Sequence, residues 1–205
     1  MIYSATKYIG GHSDVVAGAC LGSNTLVRRV RALRSMLGTM AGPWEGWLLM
    51  RSLETLKARM TIQQENAKKV SDWLARHPLI ERVFYPGLLK EGDPQYTIYR
   101  KQCLGPGAMI SFEIHGGEKE AFQLLDSLKL IKLAVSLGST ESLAQHPYSM
   151  THAGMEDKWK EEIGISENMV RLSVGVEAPD DLIWDLEQAL QTVGHAAPSS
   201  LEYSA

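Results

Sequence analysis

The residues best suited to chemistry stand at the start of the chain, where Ser4 and Thr6 precede Lys7 and the pair Gly10-Gly11 follows. Residues two apart in an extended segment project to one side, so the two hydroxyls are expected to point together. Short hydroxyls, backbone N–H groups and glycines that let the backbone approach an anion make a phosphate cradle. A lysine amine held beside a phosphate can form a Schiff base with an aldehyde cofactor, once desolvation or nearby cations suppress its charge. Taken alone, so short a pattern also arises by chance, and it reads equally as a surface lysine at a strand end.

A second candidate is Arg171, set between Val170 and Leu172 in a run that reads as a strand. Its planar guanidinium can grip a carboxylate two-pronged, or serve as an edge or buried ion-pair residue. His12, His146 and His152 are spaced unlike any usual zinc pattern, so no metal site is expected. Arg28, Arg29, Arg31 and Arg34 gather on one expected helix and read as a solvated face or an intersubunit contact.

The 205 residues are 44% hydrophobic and 22% charged, ordinary for a soluble globular protein. A formal net charge of −3 gives no reason to expect nucleic acid or an acidic membrane as partner. Cys20 and Cys103 stand far apart without a C-x-x-C motif, which argues against a disulfide framework and fits a reducing cytoplasm. No apolar run approaches the roughly 20 residues of a membrane span, and no signal peptide is evident.

The elements that must position these residues alternate between strands and helices, an α/β pattern. Met1 to Tyr3 reads as the end of a buried strand with nothing before it, which suggests missing upstream sequence. Val15 to Leu21 reads as a strand, and Ser23 or Asn24 is expected to cap a helix running through Leu26, Val30, Leu33 and Leu37. From Pro43 to Arg76 the pattern is helical but too long for one straight rod, with Trp47, Leu48, Leu53, Leu56, Met60, Val70, Trp73 and Leu74 expected inward. His77-Pro78 is the expected domain boundary. Beyond it come expected strands at 80–85, 108–114, 130–137 and 169–176, and helices at 119–128 and 179–192. Asp180 and Asp181 suit the start of the last helix.

Three ordered blocks carry a resemblance. Ser4-Ala5-Thr6-Lys7-Tyr8-Ile9-Gly10-Gly11-His12-Ser13-Asp14 is similar to the cofactor-lysine signature of the Cys/Met-metabolism pyridoxal-phosphate enzymes. Ala134 to Pro147 with Met150-Thr151-His152, and Val170 to Glu177, resemble two further blocks of that family in the same order. The resemblance extends to about Leu190. It implies a PLP-dependent transferase fold (aspartate-aminotransferase-like, fold type I): part of the large cofactor domain plus a small C-terminal α/β domain. Residues 1–77 would be the C-terminal part of the large domain with its connecting helix, 78–193 the small domain and 194–205 a flexible tail.

By the same resemblance, Lys7 binds pyridoxal 5'-phosphate and shuttles protons, and Ser4 and Thr6 bond its phosphate. Arg171 and Ser136 hold the substrate carboxylate. Val135 bears on substrate choice, since an apolar residue there suits methionine or an O-acylhomoserine better than cystathionine. Glu141 and Thr151 are expected to support the site by hydrogen bonds, and Asp14 to form a local turn. The implied activity is γ-elimination or γ-replacement with C–S chemistry on an amino-acid substrate, in a homo-oligomer (a dimer of dimers in relatives). It would need an upstream half, carried elsewhere or on a separate N-terminal chain. The rival expectation is an inactive truncated homologue that docks on another polypeptide.

Overall fold

The computed structural model describes residues 1–194; of the tail expected at 194–205, Gly194 ends the last helix and the remainder lies outside the described residues. Strand β1 (Ile2–Ser4) pairs antiparallel with β2 (Gly18–Cys20). Both edges of this ribbon lack a further strand among the described residues, and β1 is exposed throughout rather than buried as expected. Helix α1 (Asn24–Leu37) starts where the Ser23 hydroxyl accepts the Leu26 N–H and stops at Gly38, whose φ of 72° only glycine adopts cheaply. Its apolar stripe of Leu26, Val30, Leu33 and Leu37 remains uncovered, and the helix contains no buried residue.

The long helical stretch breaks at Thr55 into α2 (Pro43–Glu54) and α3 (Leu56–Leu74). Trp47 and Leu53, expected inward, are exposed on α2, where Trp47 stacks on Trp44 with ring centroids 4.9 Å apart. On α3 the buried stripe is Arg59, Gln63, Asn66, Ala67, Val70, Ser71 and Leu74. The helical period was legible, but the inward face of its first half is polar, and Met60 lies only partly buried beside it.

Then follow β3 (Ile80–Phe84), a 3₁₀ turn at Pro86–Leu88, α4 (Tyr96–Gln102), β4 (Met109–Ile114) and α5 (Glu118–Ser127). The chain ends with β5 (Lys132–Leu133), β6 (Leu143–Gln145), α6 (Asp157–Glu162), β7 (Met169–Ser173) and α7 (Pro179–Gly194). The strands form one sheet in the order β3-β4-β7-β6-β5, antiparallel except for the β5–β6 pair.

Side-chain alternation gives that sheet two different faces. Ile110, Phe112 and Ile114 of β4, with Val170 and Leu172 of β7, are buried against Val70 and Leu74 of α3, Leu124 of α5, and Leu182, Leu186 and Leu190 of α7. Each such side chain, fully removed from water, contributes roughly 1.5–3 kcal/mol. The same alternation turns Arg171 to the other face. In register beside it stand Ser111 of β4 and Gln145 of β6.

The strand expected over 130–137 shrinks to two residues for a polar reason. Asp185 of α7 is completely buried, and its carboxylate accepts the backbone N–H groups of Lys129, Leu130 and Ile131 at 2.8–2.9 Å. After Ala134, whose N–H bonds the Ala144 carbonyl, the chain leaves the sheet toward Arg171. Asp185→Ala strips three N–H groups of their charged acceptor and is expected to destabilise the protein by about 3 kcal/mol or more, read as a lower urea midpoint with unchanged slope.

Candidate functional site

The polar stripe of α3 gathers the three sequence blocks. Arg59 donates to the backbone carbonyls of Tyr8 (2.9 Å) and Ile9 (3.4 Å), and also to that of Ser52 (3.0 Å). One turn on, the Gln63 amide donates to the Ser139 carbonyl at 2.5 Å. The next turn brings Asn66, which donates to the carbonyls of Gly175 (3.2 Å) and Glu177 (2.7 Å). Positions 59, 63 and 66 share one helix face because 3.6 residues make a turn. Each therefore reaches a different block.

The Lys7 segment is a turn, not the extended run expected from its sequence. The strand ends at Ser4, and residues 5–10 wrap so that Gly10 N–H bonds Ala5 O and Gly11 N–H bonds Lys7 O, both at 2.7 Å. Ser4 stays exposed, so it and Thr6 do not lie on one strand face. The Thr6 hydroxyl accepts the Ala17 N–H at 2.9 Å and donates to the Ala17 carbonyl at 3.3 Å. It can serve a phosphate only by turning that proton away from a long and therefore weak bond. Gly11 has φ of 69° and lies so close to Arg59 that a Cβ there would meet the guanidinium at 2.0 Å.

The loop at 135–142 closes on this turn. Gly138 has φ of 80°, and a Cβ on it would come within 2.8 Å of the Tyr8 nitrogen. The Ser173 hydroxyl accepts the Gly138 N–H at 2.8 Å, and Thr140 N–H bonds the Gly11 carbonyl at 3.0 Å. Ser13, at φ of 57°, is held by bonds from its hydroxyl to Ser139 and to the Glu141 carboxylate. Farther along, the Glu177 carboxylate accepts from both the N–H and the hydroxyl of Ser142.

These clamps set Lys7 Nζ 3.0 Å from Ser136 Oγ, while the Ser136 carbonyl accepts from Arg171 Nη2 at 3.1 Å. The same nitrogen donates to the Val135 carbonyl at 3.0 Å, and the Val135 side chain remains 53% exposed. Lys7, Ser136, Val135 and Arg171 are thus one cluster. Arg59, Lys7 and Arg171 have no carboxylate within ion-pair distance among the described residues. Burial holds the Arg59 and Arg171 guanidiniums below their ordinary pKa, although both remain cations at any working pH. A group of cations satisfied by neutral carbonyls retains its attraction for an added anion.

Two neighbours of Arg171 escaped the sequence reading. Gln145 is fully buried and faces the guanidinium across the β6–β7 pair. Tyr8, next to Lys7, buries a hydroxyl that has no hydrogen-bond partner, and burial raises its pKa while the Arg171 charge works against that rise. The block of residues around 145 was visible; that Gln145 would oppose Arg171 required the strand register. Thr151 lies beside Gln145, and Glu141 beside Ser13. The histidines are separated among other bonds: His12 to Gly10 O, His146 between Ser149 and Glu167 O, and His152 against Thr151 and Pro147 O. No group of three potential metal-ligating side chains is found among the described residues.

A lysine amine one serine away from an arginine, with no acidic partner within ion-pair distance among the described residues, offers a nucleophile beside a positive charge. Pyridoxal phosphate fits that donor set: an aldehyde for Lys7, and anionic groups on the cofactor and on an amino acid for the surrounding donors. The family described as Cys/Met metabolism PLP-dependent enzyme matches residues 1–191, and the chain belongs to it. It is 46% identical over 195 residues to L-methionine gamma-lyase of Fusobacterium nucleatum subsp. polymorphum, covering 94% of this chain and 49% of that protein. It is 47% identical over 191 residues to cystathionine gamma-lyase of Sus scrofa, covering 93% and 47%. The crystal structure of cystathionine gamma synthase from Xanthomonas oryzae pv. oryzae superposes with a TM-score of 0.88 at 40% identity, covering 94% of this chain and 50% of that one. The fold is therefore that of the PLP-dependent cystathionine enzymes, and the chain spans about half the length of the relatives it matches.

Arg59→Met removes the donors that shape the Lys7 turn while keeping most of the buried volume. We expect a loss of about 2–4 kcal/mol of stability and faster amide exchange at Gly10 and Gly11, measured by urea unfolding and hydrogen exchange.

Proposed function

We propose that this site performs PLP-dependent γ-elimination or γ-replacement on a sulfur-containing amino acid or an O-acylhomoserine, the C–S chemistry of a methionine γ-lyase or cystathionine γ-synthase. The observation that carries the reading is the 3.0 Å approach of Lys7 Nζ to Ser136 Oγ, with Arg171 on the carbonyl of that same serine. An α-amino acid whose carboxylate rests on Arg171 places its α-carbon within reach of the lysine amine.

Lys7 would hold pyridoxal phosphate through its amine, and Ser4 and Thr6 would serve the phosphate. When bound, pyridoxal phosphate supplies an electron sink for charge developing on the substrate carbons. Arg171 takes the α-carboxylate, Ser136 lies beside it, and the fixed carboxylate orients the bonds to be broken. Lys7 Nζ would serve as the general base for the substrate α-proton and would return protons as the γ-substituent departs. The exposed Val135 side chain would form an apolar wall toward the substrate, favouring a thioether over a second charged group.

The uncovered stripe of α1 and the unpaired edges of the β1–β2 ribbon support a larger assembly. In this reading residues 1–77 belong to a large cofactor domain and 78–193 to a smaller one. A complementary half, in the same or a separate chain, then covers the ribbon, and copies associate into a homo-oligomer. The two free cysteines and the metabolic relatives support a cytoplasmic setting. No helix among the described residues is long and apolar enough to cross a membrane. The same uncovered surface favours the second reading, a docking fragment without catalysis.

Borohydride reduction in the presence of pyridoxal phosphate, followed by peptide mapping, separates the two. The catalytic reading expects the cofactor fixed on Lys7 and no labelling at that site in Lys7→Ala; a protein unlabelled at Lys7, alone and with its complementary half, defeats it. Val135→Glu is expected to shift the kcat/KM ratio from methionine toward cystathionine by about tenfold, assayed by product analysis.

A further inference from the structure

Gln145 stands in an unusual place for a neutral side chain. It is completely buried, in β6, directly opposite Arg171. With its amide nitrogen toward the guanidinium it would face only donors. With its oxygen there, Oε1 accepts from Arg171 Nη1 at 3.0 Å and Nη2 at 3.3 Å, and from the Thr151 hydroxyl at 3.2 Å. Thr151 is itself 3.0 Å from His152 Nδ1, so the amide rests against a second hydrogen-bonded pair.

We infer that Gln145 is a positioning residue that orients the Arg171 guanidinium for a carboxylate ligand while leaving its charge unneutralised. The inference rests on the reading of Arg171 as the carboxylate-binding residue. A guanidinium has five N–H donors. Here the Val135 and Ser136 carbonyls hold Nη2, and the Gln145 oxygen bridges Nη2 and Nη1, so the plane of the group is fixed by three neutral acceptors. Donors remain on Nε and Nη1. A carboxylate in place of Gln145 would orient the group equally well but form a buried ion pair, competing with an incoming anion. A hydrocarbon of similar size would leave the charge intact but the group held through Nη2 alone. The neutral amide alone supplies orientation without competition.

Two measurements test this. In the first, ¹⁵N spectroscopy of the whole chain follows rotation of the Arg171 guanidinium, its signal identified by its loss in Arg171→Lys. Restricted rotation is expected in the parent and in Gln145→Glu, and fast rotation in Gln145→Leu. In the second, steady-state kinetics of the PLP-loaded active assembly use L-methionine. Both variants are expected to raise KM about tenfold or more with a much smaller change in kcat, the size of one lost charge-assisted hydrogen bond. Methioninol, which lacks the carboxylate, is expected to bind parent and variants alike. A Gln145→Leu protein with restricted rotation or parental KM overturns the inference. If that variant fails to fold, the nearly isosteric Gln145→Glu decides, and a parental KM there overturns it. An unchanged KM in Arg171→Lys would instead overturn the carboxylate reading of Arg171, while the rotation measurement still reports on Gln145.

Discussion

The site depends on one physical arrangement, the polar stripe Arg59, Gln63 and Asn66 buried along the first half of α3. Each residue donates to backbone carbonyls of a different sequence block, and none of those blocks lies near α3 in sequence, although Arg59 also holds the Ser52 carbonyl at the preceding helix end. Buried carbonyls must find donors or incur the cost of desolvation. Loops that pass between a helix and a sheet edge cannot satisfy one another fully, so the helix supplies the missing N–H groups from its side chains. Farther along, the same face turns apolar at Ala67, Val70 and Leu74 and anchors in the core. One helix therefore couples the hydrophobic packing of the sheet to the placement of Lys7, Ser136 and Arg171.

The electrostatic consequence follows from the identity of those partners. Arg59 and Arg171 are held by carbonyls and an amide, not by carboxylates. Carbonyl dipoles solvate a guanidinium well enough to keep it inside, yet they carry no net charge to cancel it. Of the acids close to these loops, Asp185 serves the backbone of residues 129–131 and Glu177 serves Ser142, while the ion-pair contacts, Lys160–Asp157 and His77–Glu187, involve neither Arg59 nor Arg171. The acids stiffen the loops around the site, and the cations are left for the ligand.

Much of this was legible in the residues. The cluster of Lys7, Ser136 and Arg171 followed from three blocks of sequence, and the β4 and α7 patterns follow their periods closely. What failed had physical reasons. Pattern reading places apolar residues inward, so Trp47 and Leu53 were expected in the core, whereas α2 presents them outward and α3 buries Arg59 and Gln63. The strand over 130–137 has ample β propensity, but Asp185 takes its first N–H groups and Arg171 its carbonyls at 135 and 136, leaving two ladder residues. Ser4 and Thr6 were expected side by side because strand alternation was extended past Ser4. The Ala17 backbone instead captures Thr6 within a turn. Gln145 was invisible for another reason, since only the register of β6 on β7 brings it opposite Arg171.

The two ends of the cluster differ in how firmly they are built. The end proposed for the carboxylate is fixed from several directions: Arg171 by three acceptors, the 135–142 loop by Gln63, Ser173 and Gly11, and the underlying strands by the core. The end proposed for phosphate is open. Among the described residues, Ser4 is exposed on a ribbon with no further strand, and nothing covers the apolar stripe of α1. A firmly built end beside an open one supports the reading in which one continuous core organises the first and further polypeptide covers the second. On this reading, recognition of an amino-acid carboxylate is a property of the described residues themselves, whereas tight retention of the cofactor belongs to the assembly that covers the β1–β2 ribbon.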